Sequence, residues 1–169
     1  MVAIGGAVYV AGMDGRVTSL DALTGKRRWA STKEASISGA VVLDCNPSVP
    51  TSRRHLYVGN NVGTLYAVDR DSGATRWTFR QASSKHAIFS TPLLLPYSAG
   101  DTNASLVYGN LNGDLLRVNA YFAGAGPDHQ ASSNTLWRLA LRLATFSSPS
   151  GSVSGFILHF SAKHTMLPY

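Results

Sequence analysis

The stretch VYVAGMDGRVTSLDALTGKRRW, Val8 to Trp29, returns as LYVGNNVGTLYAVDRDSGATRW, Leu56 to Trp77. Tyr9/Tyr57, Gly15/Gly63, Asp21/Asp69, Gly25/Gly73 and Trp29/Trp77 each fall 48 residues apart. A fixed period of this size marks a repeat architecture, in which one small supersecondary unit is used again. A third copy, LVYGNLNGDLLRVNA from Leu106, keeps Gly109, Gly113 and Val118 and puts Asn119 in the place of Asp69. Its tryptophan, Trp137, comes ten residues late, so the glycine-rich segment Tyr121–Ser133 is an enlarged loop.

Within each unit, short runs of β-branched and aromatic residues alternate with glycine-bearing turns, and no long 3.6-residue periodicity occurs. The spacing predicts four-stranded meanders, with leading strands at Ile37–Asp44 and Ile88–Leu95 and room for little or none of one at Met1–Gly6. Phe146-Ser147-Ser148-Pro149 repeats Phe89-Ser90-Thr91-Pro92 and opens a fourth unit. In TLYAVD both faces are apolar, with Leu65 and Ala67 on one and Tyr66 and Val68 on the other, as expected for sheets covered on both sides. Gly15, Gly63 and Gly113 are expected at positive φ in tight turns. Asp21 and Asp69 are expected to close their loops by accepting backbone amides, and Trp29, Trp77 and Trp137 to pack between neighbouring sheets.

These features separate the radial β-architectures. The tryptophans are followed by Ala30, Thr78 and Arg138, never by Asp, and Gly5-Gly6 is the sole double glycine, which argues against the WD and kelch classes. The pattern VYV.G...G.(L/V)..(L/V)D..(T/S)G...W resembles the repeat of pyrroloquinoline-quinone-type (PQQ-like) β-propellers, over Val8 to Pro149. The fold expected is all-β: a partial propeller, an open arc of four-stranded antiparallel blades, quinoprotein dehydrogenase-like. One repeat domain then covers residues 1–160, with blades at about 1–32, 35–82 and 86–143, the start of a fourth at 145–160, and an unassigned tail at 161–169. Propellers close with about four to eight blades, so an arc of three leaves open faces that invite self-association, and the chain reads as a fragment of a larger propeller protein. Arg117 stands where the other copies have Ala67 and Ser19, and a guanidinium there requires a partner or an open face.

What the residues can do is narrower. A hydrophobic fraction of 44% over 169 residues supports a packed core. No basic residue precedes the opening apolar run, so no secretory signal is expected, and no stretch approaches the roughly 20 apolar residues of a membrane helix. Location is thereby open, cytoplasmic by default. The lone Cys45 is read as a small buried or half-buried residue, and Asn103-Ala104-Ser105 fits a glycosylation pattern that matters only after secretion. The net charge of +6 favours anionic partners. Yet Lys26-Arg27-Arg28, Arg53-Arg54, Arg76, Arg80, Arg138 and Arg142 are scattered, and several flank the tryptophans, where cation–π packing is the simpler use than nucleic-acid binding.

Asp69-Arg70-Asp71-Ser72-Gly73 imitates a calcium loop, but Leu23 stands at the position of Asp71 in the first copy and the later bidentate Glu is missing. GNNVG and GNLNG lack phosphate-loop spacing. His55, His86, His129, His159 and His164 show no zinc spacing. The resemblance to quinoprotein dehydrogenases implies adjacent cysteines and a carboxylate-bound calcium around the quinone, and this chain carries neither pattern. No catalytic, cofactor-binding or metal residue is therefore assigned, and no cofactor is expected. The function expected is a non-catalytic scaffold that contacts protein, through its turn loops or the Tyr121–Ser133 insertion. The alternatives are a portion of a quinone-dependent dehydrogenase, or of the propeller region of a β-alanine-activating-type enzyme, and last an anion or nucleic-acid binder.

Overall fold

The structure, a computed structural model, describes residues 1–45, 54–81, 86–95, 104–121 and 135–140. Twelve strands among these residues form three antiparallel meanders of four. The first blade contains β1 (Val2–Ile4), β2 (Ala7–Ala11), β3 (Arg16–Asp21) and β4 (Arg27–Thr32). The second contains β5 (Val42–Leu43), β6 (His55–Gly59), β7 (Thr64–Asp69) and β8 (Thr75–Arg80), and the third β9 (Leu93–Leu95), β10 (Ser105–Gly109), β11 (Asp114–Asn119) and β12 (Thr135–Ala140). Strands pair in chain order within each sheet. The result is a partial β-propeller.

The three copies share their irregularities as well as their strands. The register of the last strand slips at Ser19/Leu20, Ala67/Val68 and Arg117/Val118, beside Trp29, Trp77 and Trp137. Each slip adds one unpaired residue (Arg28, Arg76 or Leu136), a β-bulge that re-aims its side chain. Gly15, Gly63 and Gly113 have φ of 76°, 83° and 76°, as their turns require. In the second and third turns the side-chain oxygens of Asn60 and Asn110 accept from the backbone of Val62 and Thr64, and of Asn112 and Asp114.

Two cores lie between blades. Tyr9, Val17 and Ala7 of the first meet Leu56, Val58, Tyr66 and Val68 of the second. Tyr57, Leu65, Ala67, Trp77 and Phe79 of the second meet Leu106, Tyr108, Leu116 and Val118 of the third. The period-two alternation of β7 thus feeds one core from each face, and all six of its residues are buried.

The leading strands differ from expectation. Val2–Ile4 does form one in the first blade, joined to β2 by the Gly5-Gly6 hairpin with φ of 58° and 70°. In the other blades the leading strands are shorter than Ile37–Asp44 and Ile88–Leu95, because the earlier residues spend their backbone bonds between blades. Ile37 N–H donates to Gly12 and Asn61 N–H to Ser36, and, one repeat on, Ile88 N–H donates to Asn60 and Leu111 N–H to Ala87. Each linker is stitched to the turn behind it and the turn ahead. Residues 145–160 and 161–169 lie outside the described residues.

Candidate protein-interaction interface

The recurring aspartates build the turns at one end of the blades. Asp21 Oδ1 accepts from the backbone N–H of Leu23 and Thr24 and from the Thr24 hydroxyl. Asp69 Oδ1 does the same for Asp71 and Ser72. Their second oxygens go to the bulged arginines, Arg28 at 2.7 Å and Arg76 at 2.6 Å. The Arg28 guanidinium, with the Thr24 and Leu23 bonds, holds the Asp21 carboxyl well below the usual range. At Asp69 burial pushes the pKa up, but Arg76 and Ser72 outweigh it and bring it to about 2. In the third blade Asn119 keeps the turn bond, to Tyr121 N–H. A neutral amide supplies no charge for a guanidinium, and the bulged residue there is Leu136. The calcium-like segment at Asp69 is thus a turn closed by its own residues.

Trp29 and Trp77 dock forward. Trp29 Nε1 donates to the carbonyl of Arg70 in the second blade at 3.1 Å, and Trp77 Nε1 to that of Ala120 in the third at 3.3 Å. Arg70 and Ala120 each follow the turn residue Asp69 or Asn119, so the two contacts are equivalent. The Trp29 ring lies against Gly73, where an added Cβ would sit 2.6 Å from its Cε3. Arg28 and Arg76 do not cover these indoles as expected, because neighbouring strand residues leave on different sides and the bulge directs both to carboxylates. Among the described residues a cation–π contact forms instead at Lys33, whose Nζ lies 5.4 Å from the centre of the Tyr66 ring.

At the other end, polar groups tie linkers to blades. Buried Lys33 donates to Ser31 and Thr75 hydroxyls, each at 2.8 Å, and desolvation lowers its pKa to about 8. Glu34 receives Arg80 and the Thr64 hydroxyl. Asp114, 1% exposed at its side chain, is forked by Arg138 at 2.8–2.9 Å. Burial would raise the Asp114 pKa, yet Asn112 and Arg138 lower it on balance. Arg117 meets the requirement read from its position, since its Nε donates to buried Ser105 Oγ at 2.8 Å.

Among the described residues no three of His, Cys, Asp and Glu come together as a ligand set. Cys45 is exposed rather than buried, at the point where the chain leaves β5. His55 packs against Tyr57 and Tyr121 rings. With Asp21, Asp69 and Asp114 engaged by arginines and a single cysteine in the chain, these donors do not fit a quinone over a carboxylate-bound calcium. Residues 122–133 of the insertion, His129, His159, His164, Arg53, Arg142 and Asn103 lie outside the described residues. No helix among the described residues is long and apolar enough to cross a membrane.

The asymmetry of the first blade stands out. Leu56, Val58, Tyr66 and Val68 of the second blade, and Leu106, Tyr108, Leu116 and Val118 of the third, are all at most 6% exposed. Their equivalents Val8, Val10, Thr18 and Leu20 form one contiguous square, Val8 opposite Leu20 and Val10 opposite Thr18, and are only half-buried. Beside this square the Asp21 turn has exposed Ala22 where the second blade has Arg70. At Gly25, the counterpart of Gly73, an added Cβ would meet no atom within 4 Å. The first blade therefore displays the face and the indole seat that its successors have filled.

A family model described as outer membrane protein assembly factor BamB matches residues 13–103. The curated BamB of Burkholderia pseudomallei (strain K96243) is 28% identical over 158 residues, which are 92% of this chain and 36% of that relative's length. The crystal structure of BamB from Moraxella catarrhalis superposes with a TM-score of 0.61 at 20% identity, covering 88% of this chain and 38% of that one. The quinohemoprotein alcohol dehydrogenase from Comamonas testosteroni gives 0.56 at 19%, covering 82% and 20%. Likeness at such identities speaks for the fold alone.

Proposed function

The chain belongs to the PQQ-like propeller repeat family whose model is described as outer membrane protein assembly factor BamB, and from that premise we propose that it is a non-catalytic scaffold segment that binds protein. The observation that carries the reading is the half-buried square of Val8, Val10, Thr18 and Leu20, whose equivalents are packed away in the next two blades. Apolar surface of this kind, flanked by polar turns, is what a protein partner covers. We take residues 1–160 as one repeat domain, and the relatives, which are longer, as the guide to its role. A protein-assembly function, named for BamB, suits a surface made of blade faces better than dehydrogenase chemistry suits these donors.

Three measurements test the reading. Incubation with pyrroloquinoline quinone and calcium, followed by gel filtration and a dye-reduction assay, is expected to leave no bound chromophore and no turnover; stoichiometric uptake with dye reduction refutes it in favour of the dehydrogenase reading. Val10→Glu, which places a charge in the square, is expected to abolish binding to protein partners while the far-UV spectrum stays unchanged. Affinity for nucleic acid that persists above moderate salt would shift the reading to the basic surface instead.

A further inference from the structure

We propose that the open indole seat of the first blade, Ala22 to Gly25, binds a segment of another protein in which a tryptophan is flanked by acidic residues. This deepens the scaffold reading and rests on it by naming the chemistry of the partner. The seat is preformed. Asp21 N–H donates to the Lys26 carbonyl, Gly25 N–H to that of Asp21 and Ala22 N–H to that of Gly6; the occupied seat repeats all three bonds as Asp69 to Ala74, Gly73 to Asp69 and Arg70 to Arg54. The carboxylate bonds that close the two turns also correspond. The open seat is therefore shaped for what the occupied one holds: an indole against the glycine, its N–H donating to the carbonyl one residue after the Asp. At Gly25 an added Cβ would meet no atom of the described residues within 4 Å, and the Ala22 carbonyl, counterpart of that of Arg70, accepts no hydrogen bond among them.

The flanking charge follows from where the two seats differ. From Asp69 to Arg76 the occupied seat balances Asp69 and Asp71 against Arg70 and Arg76, whereas from Asp21 to Arg28 the open one sets a single aspartate against Lys26, Arg27 and Arg28. Asp21 is already held by Arg28, and neither Lys26 nor Arg27, both exposed, has an ion-pair partner among the described residues. Their counterparts in the second blade are the neutral Ala74 and Thr75. Arg27 also stands opposite Leu20 in the strand register, so it borders the square of Val8, Val10, Thr18 and Leu20. An indole seat bordered by cations is matched by an anionic segment, since charge at the rim of an interface steers encounter and rejects like charge. The segments that carry this chain's own tryptophans, Lys26-Arg27-Arg28-Trp29, Arg76-Trp77 and Trp137-Arg138, are basic and would meet that rim with like charge.

Fluorescence anisotropy of a labelled, end-blocked peptide, Asp-Glu-Trp-Asp-Glu, titrated with the full chain tests the proposal, and amide shifts by NMR locate the site. Saturable binding is expected, with shifts at Ala22 to Gly25 and at Leu20. Replacing the peptide's tryptophan with alanine, or its acidic residues with lysine, is expected to weaken binding by at least about tenfold. Salt raised from about 0.05 M to about 0.5 M is expected to weaken it too, by screening the rim. Gly25→Ala, which puts a methyl where the ring would rest, is expected to cost at least about tenfold. Lys26→Glu combined with Arg27→Glu is expected to reverse the preference in favour of the lysine-flanked peptide, a gain that only a folded chain can show. No saturable binding, equal affinity for the alanine peptide, shifts confined to other blades, or a charge reversal that leaves the preference unchanged overturns the proposal. So does a second copy in the seat, seen in sedimentation as self-association that Gly25→Ala abolishes. Failure without quinone uptake sinks this inference alone, whereas failure with quinone uptake and dye reduction sinks the scaffold reading too.

Discussion

Replacing Trp77 with alanine is the sharpest test of how the blades hold together. The indole is 2% exposed in the core between the second and third blades, with the Tyr57 ring 6.0 Å away at 40°. A buried indole removes about 200 Å² from water, which at about 25 cal/mol per Å² is roughly 5 kcal/mol, less about 1 kcal/mol for the methyl that remains. The N–H bond to Ala120 adds little, because the same carbonyl also accepts from the Tyr57 hydroxyl at 3.2 Å and keeps that partner. The expected loss is about 4 kcal/mol, in line with other aromatic truncations in cores. Half-buried Trp29 should lose roughly half as much when changed in the same way. Urea titration followed by far-UV circular dichroism measures both, with the slope checked for constancy. A Trp77→Ala loss below about 1 kcal/mol, or one smaller than that of Trp29→Ala, would refute forward docking as the principal tie between blades.

Further outcomes follow from the turns and the linker. Gly73→Ala should destabilise clearly more than Gly25→Ala, since both pay about 1 kcal/mol for positive φ but only the first drives a Cβ into the Trp29 ring; equal losses by thermal melting would count against the seat. Asp69 has its folded pKa depressed to about 2, so its stabilising effect is full above the unfolded value near 4 and is lost as pH falls toward 2. Asp69→Asn, the residue found at position 119, should flatten that part of the acid titration of stability. Lys33 titrates near 8 when folded and above 10 when unfolded, so the unfolded chain holds more protons in that window and stability should rise with pH from about 8 to 10.5. Lys33→Met should erase the rise, and an unchanged slope would show that the ammonium is not buried as described.

The period of 48 residues made the blade plan legible, because motifs that recur with their turns intact constrain the strands between them. The turn aspartates and forward-packing tryptophans were readable for the same reason. Val2–Ile4 escaped because three residues carry no periodicity, although Gly5-Gly6 is a hairpin signal in its own right. The linkers at Ile37 and Ile88 look like strands in composition, yet their bonds are backbone to backbone across blades, and such bonds leave no side-chain signature. The arginine partners of Asp21 and Asp69 depend on a bulge, which shifts a side chain by one place and defeats simple alternation. Lys33, within the polar run Ser31-Thr32-Lys33-Glu34, gives no hint of burial, since only the neighbouring blade removes it from water. That an open face exists followed from the blade count, but its residues, Val8, Val10, Thr18 and Leu20, emerged from comparing the burial of equivalent positions.

Because the Trp29 and Trp77 indoles each reach toward the blade that follows, the stack has a direction along the chain. During synthesis the first meander can pair its own strands as it leaves the ribosome, yet Trp29 has no acceptor until Arg70, 41 residues downstream, has emerged. The first and second blades are thus each finished by their successor's arrival, and a nascent chain halted after either holds out one unsheltered tryptophan to whatever chaperone waits at the tunnel mouth.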